Sequence, residues 1–236
     1  MLRVNHTSLR TCLLCAWIAS TTAAHPQETT RVSVNSSEVQ GNKESRECSI
    51  SGDGRYVVFE SDATSLVGGD TNGFPDVFVR DGQGGTTTRV SVDSSGAQGN
   101  DWSKFPSIST DGRYVVFESN ATNLVGGDTN GAEDVFVHDR QSGTTERVNV
   151  DSSGVQGNGG GGVWTGSPIS ADGRYVVFAS IATNLVGGDT NAKVDVFVRD
   201  RQSGTTERVS VDSGGAQGNH HSYECVISSD GRYVAF

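Results

Sequence analysis

Apolar positions in this chain come in short extended runs rather than at helical spacing. In Arg113 to Ser119, Arg-Tyr-Val-Val-Phe-Glu-Ser, Tyr114 and Val116 point to one side of a strand while Val115 and Phe117 point to the other. Apolar residues on both sides predict a strand covered on both faces. Asp134 to His138, with Val135, Phe136 and Val137, reads the same way. Glu146 to Val150 alternates, Val148 and Val150 against Arg147 and Asn149, which predicts a strand with one wet face. Ser107 to Ser109 reads as a brief inner strand, and Thr110-Asp111-Gly112 after it is a tight-turn signal.

This set of elements recurs. Asp53, Asp111, Asp172 and Asp230 each open an Asp-Gly-Arg-Tyr-Val motif, 58, 61 and 58 residues apart by their numbers. Gly-Gly-Asp-Thr-Asn keeps step at Asp70, Asp128 and Asp189, and extra glycines in the Gly159 to Gly162 run account for the longer interval. A fixed period, with inner strands buried twice and an outer strand half wet, predicts an all-β chain. The fold is read as a β-propeller of four-stranded antiparallel blades, with units burying their faces on each other. A two-sheet sandwich is the alternative, but it does not require near-identical units. About three complete blades are expected, with a partial first blade (Thr29 to Val34 as a lone outer strand) and a partial last one (Ser222 to Phe236, two strands). Such an arc is an incomplete ring, which further blades or a second chain would close; a fragment of a longer ring is the favoured reading.

The Ser-x-Asp-Gly-Arg-Tyr-Val-Val-Phe run followed by Asp-Val-Phe-Val-Arg-Asp resembles the WD-like propeller repeat of TolB-type periplasmic proteins, from Thr29 to Phe236. Where that family carries Pro before Asp-Gly, this chain has Gly52, Thr110, Ala171 and Ser229. Its separate N-terminal domain has no counterpart here. The resemblance implies a non-catalytic scaffold for protein–protein interaction at the cell envelope. A propeller hydrolase or lyase acting on glycans is the alternative, as is a truncated array without activity of its own.

Composition narrows the partners. Arg3 and Arg10 precede a short apolar run and Thr22-Ala23-Ala24, a secretory signal pattern over residues 1–24, so a periplasmic or extracellular location is expected. The chain has 18 basic and 28 acidic residues, a net charge of −10. Such a surface repels phosphate backbones, so nucleic acid is excluded and cations or basic protein patches fit better. No run is long enough to insert in a membrane. Cys12 and Cys15 lie in the leader, and Cys48 and Cys225 either pair or remain buried thiols.

Candidate chemistry lies on loops. In a four-strand meander the second-to-third loops and the blade-to-blade loops share one end, and here both are long. The second-to-third loops hold Asp70, Asn72 and Asp76, then Asp128, Asn130 and Asp134, then Asp189, Asn191 and Asp195. Oxygens at alternate positions could coordinate calcium, the one cofactor considered, or could form Asx-turns without metal. The blade-to-blade loops share Gln-Gly-Asn and then diverge, placing Lys43, Arg46, Trp102, Phe105, Trp164, His220, His221 and Tyr223 as candidate partner contacts. Acids that recur from unit to unit are read as architectural, which leaves no catalytic residue, and Asp212-Ser213-Gly214 reads as a turn.

Overall fold

The computed structural model describes residues 29–163 and 168–236. The leader reading over residues 1–24 and Trp164 both lie outside the described residues.

Three antiparallel four-stranded meanders follow one another. The first blade is β1 (Ser45–Ile50), β2 (Tyr56–Ser61), β3 (Asp76–Asp81) and β4 (Thr86–Arg89). The second is β5 (Ser103–Ile108), β6 (Tyr114–Ser119), β7 (Asp134–Asp139) and β8 (Thr144–Arg147). The third is β9 (Gly161–Gly162), β10 (Tyr175–Ser180), β11 (Asp195–Asp200) and β12 (Thr205–Arg208). A two-stranded sheet, β13 (Val226–Ile227) with β14 (Val234–Ala235), comes last. The middle strands pair without a slip, Tyr56 opposite Asp81 through Ser61 opposite Asp76, and the later blades copy that register.

Each blade lies face to face with the next. Val58, Val77 and Val79 of the first blade share a core with Ile108, Val115 and Phe117 of the second. Val116, Val135 and Val137 of the second meet Ile169, Val176 and Phe178 of the third. Val177, Ala179 and Val196 of the third meet Cys225 and Ile227 of the last sheet. Because β2, β3 and their copies are apolar on both sides, each serves two interfaces, which is the demand that a radial stack makes. Burying one such Phe or Val contributes about 2 kcal/mol. The fold is a β-propeller, with three complete four-stranded blades and a partial sheet.

Three expectations need correction. Thr29 to Val34 is not a strand: Val34 makes an isolated bridge to Gln40, and Thr87 of the first blade donates to the Val34 carbonyl at 2.5 Å. The inner strand of the second blade runs over Ser103–Ile108, not Ser107 to Ser109. A bulge between Lys104 and Ser107, with Phe105 at φ 52°, breaks the alternation that reveals a strand in sequence. The outer strand keeps one wet face, but it is the other one: Thr144 and Glu146 of β8 are exposed, whereas Thr145 and Asn149 are buried and the Arg147 side chain is nearly so. Alternation there puts the exposed Glu146 on the side of Val148 and Val150, and Arg147 with Thr145 and Asn149 on the enclosed side. Of the two alternatives for Cys225, the buried free thiol holds, and it is not bridged to Cys48.

Candidate functional site

The meander puts the Asp-Gly turns and the third-to-fourth turns at one end of the blades and both sets of long loops at the other. At the turn end, Arg55 grips Asp81 with Nε at 3.0 Å and Nη2 at 2.7 Å, and Arg113–Asp139 and Arg174–Asp200 repeat it. This fork-to-fork contact holds the Asp81 carboxyl far below the usual carboxylate range. Tyr56 is sandwiched between its own Arg55, at 4.8 Å, and Arg140 of the next blade, at 4.0 Å. Its ring also lies against Gly112, where a Cβ would come within 2.3 Å, and Gly112 has φ +72°. Glycine is the residue that fits both demands.

At the loop end, the acids considered for calcium are engaged by other side chains. Asp76 is fully buried, accepts from Ser91 at 2.7 Å and pairs with Arg89 at 3.0 Å. Gln98 donates to both Asp70 and Asp76 at 3.0 Å. Asn72 donates to the Gly99 carbonyl at 2.9 Å and accepts the Phe74 amide, an Asx-turn. The second blade repeats this with Asp128, Asp134, Arg147, Gln156 and Asn130. Asp189, Asp195, Arg208, Gln217 and Asn191 do the same in the third. Among the described residues no three His, Cys, Asp or Glu side chains converge as a metal site. A cation would have to displace a guanidinium, so this donor set fits calcium poorly. Burial pushes the Asp76, Asp134 and Asp189 carboxyls up.

The repeats part company at the start of the inner strands, on this same end. Arg46 and Lys104 hold corresponding positions, opposite Glu60 and Glu118 on the neighbouring strand. Arg46 pairs with Glu60 at 2.9 Å and also with Asp62 and Glu44. Glu60 reaches across to the second blade and accepts the Phe105 amide at 3.1 Å. Lys104 instead lies 5.0 Å above the Trp102 ring. Glu118 is 4% exposed, and its Oε2 has no hydrogen-bond partner among the described residues. Its carboxyl is pushed up to about 7, first by burial and next by Glu133, against a hydrogen bond from the Val163 amide of the third blade. In the third blade the matching pair is Gly162 and Ala179.

The candidate contacts therefore divide. Trp102, Lys43, Arg46, His220, His221 and Tyr223 all lie on this end. Tyr223, 44% exposed, stacks on His221 at 5.5 Å, and His221 accepts the Val194 amide through Nδ1. Phe105 is half-buried against the core between the second and third blades, so it supports the rim instead of presenting a free face. Glu60 and Glu118 escape a sequence reading that treats recurrent acids as architectural. The signal for them is the break in recurrence at Ala179.

No family model and no curated protein matches the chain. Among solved structures it is similar to TolB from Acinetobacter baumannii, at 17% identity and a TM-score of 0.46 over 82% of this chain and 37% of that one. A putative TolB from Agrobacterium tumefaciens matches at 22% identity and 0.45, over 80% of this chain and 57% of that one. An oligogalacturonate lyase in complex with manganese matches at 14% identity and 0.47, over 82% and 47%. The chain thus spans well under two thirds of each of these proteins. The likeness is one of fold, and the blade geometry above carries the fold without it.

Proposed function

We propose that this propeller is a non-catalytic scaffold that holds a protein partner at its loop end, on the rim formed by Arg46, Trp102, Lys104, His220, His221 and Tyr223. One observation carries the reading. The repeats are copies of each other wherever side chains build blades, and they diverge where the inner strands begin. Ion pairs, Asx-turns and Tyr–Gly contacts recur in each unit and are used up in holding the units together. The rim side chains differ from blade to blade, and aromatic and guanidinium groups on a rigid frame are what protein interfaces favour. The leader-like residues 1–24 support export, and the propeller fold agrees with the envelope scaffold that the TolB-type repeat implies. No helix among the described residues is long and apolar enough to cross a membrane.

Affinity capture with the chain as bait tests this reading. A specific protein should be retained, and retention should fall at least tenfold with Trp102→Ala plus Tyr223→Ala while Gln141→Ala at the turn end leaves it unchanged. Equal loss with both variants would contradict it. A glycan hydrolase or lyase is the second reading, favoured by one feature: Glu118, protonated near neutral pH, has the character of a general acid. Turnover of a glycan panel that Glu118→Gln abolishes would establish that reading instead.

A further inference from the structure

The three blades treat one position in three ways. In the first, the Glu60 carboxylate is filled from within by the Arg46 guanidinium at 2.9 Å and the Phe105 amide at 3.1 Å. In the third, Ala179 and Gly162 remove both partners. The second blade keeps the acid and withholds the guanidinium. Lys104 makes no ion pair with Glu118 among the described residues, because its ammonium is held over Trp102 at 5.0 Å and acts on Glu118 only at longer range. A carboxylate oxygen buried without a partner is costly, and native proteins seldom leave one so.

We propose that the Glu118 carboxylate, at the loop end between the second and third blades, binds a guanidinium group, supplied as an arginine side chain of the protein partner. The inference rests on the reading of the rim as a protein-binding surface and names what that surface selects. Arg46 on Glu60 is the internal template: the same strand pair, one blade earlier, already holds a guanidinium in the corresponding place. Glu133 adds a second negative charge beside Glu118. Trp102, next to the site and already holding a cation over its ring, offers a face on which a planar guanidinium stacks. The chain's net charge of −10 draws basic segments toward it.

The test uses the whole chain and a small probe, acetyl-arginine methylamide, with the citrulline analogue as its uncharged match, followed by NMR titration. The arginine probe should saturate one site, and the citrulline analogue should bind at least tenfold more weakly. Glu118→Gln keeps the side-chain shape, so it should fold and weaken the arginine probe at least tenfold, whereas Glu60→Gln should leave it unchanged. Arg46→Ala should open a second site of the same kind. Equal binding of both probes, or binding indifferent to Glu118→Gln, would overturn the proposal. A captured protein that binds wild type and Glu118→Gln alike would defeat this inference and leave the scaffold reading standing. A Glu118-dependent arginine site on a chain that captures no protein would do the reverse.

Discussion

The two ends of the blades use the same ion-pair chemistry and differ in what they leave over. At the turn end, Arg55–Asp81 and its copies close on themselves, with the arginine side chains 36–39% exposed. At the loop end, Asp76, Asp134 and Asp195 are fully buried beneath arginine, glutamine and a hydroxyl or amide side chain. The deeper network fixes long loops that would otherwise be loose, and it frees the neighbouring inner strands to carry unlike residues. A rigid base under a variable rim is thus a consequence of burying the acids.

The difference in depth can be broken by mutation. Asp134→Ala takes from the buried Arg147 guanidinium its partner at 2.9 Å and leaves it only Asp128 at 3.7 Å, so it should cost about 3–5 kcal/mol in denaturant unfolding. Asp139→Ala exposes a guanidinium already 39% in solvent and should cost roughly 1–2 kcal/mol, net of screening. Equal costs would erase the contrast between the ends.

Protonation sharpens it further. The folded-state carboxyl of Glu118 lies at about 7, above its ordinary value of 4.5. The folded chain therefore holds this proton more tightly than the unfolded chain, and this group's contribution to stability falls as pH rises from about 4.5 to about 7. Comparing unfolding of wild type and Glu118→Gln across that window should show the wild type losing about 3 kcal/mol relative to the variant. A difference that does not change with pH would mean that the carboxylate is solvated.

Within the turn end, Gly54 and Gly173 both have φ +72°, but a Cβ on Gly54 meets nothing nearer than 4.0 Å whereas one on Gly173 comes within 2.0 Å of Tyr114. Gly54→Ala should cost about 1 kcal/mol for backbone alone. Gly173→Ala should cost about 1–3 kcal/mol beyond that, because the Tyr114 ring has to leave its place between blades. At the loop rim the expected effect is smallest: Tyr223→Ala, at a residue 44% exposed whose ring stacks on His221, should change stability by less than about 1 kcal/mol.

Strand order and the three full blades were legible because the units repeat and their strands follow from side-chain alternation. Four features were not, for physical reasons. The bulge at Phe105 puts a residue at positive φ within a strand, which alternation cannot register, and it hid half of β5. The Arg147 side of β8 looked solvent-facing because the burial of Arg147 and Asn149 against Asp134 joins residues up to 15 positions apart. The same long-range pairing turned a calcium-like spacing of Asp and Asn into acids already held by arginine. Glu118 was hidden differently: it copies Glu60 in sequence, and only the position of Lys104 over Trp102 distinguishes the two.

Copied side chains hold the blades, and the diverging rim at the loop end is the surface proposed to hold the partner. Hydrogen exchange of the chain with and without its captured partner tests this most directly. Protection is predicted over residues 42–47, 100–105 and 219–224. Protection confined to the turns at 82–85, 140–143 and 201–204 would contradict it.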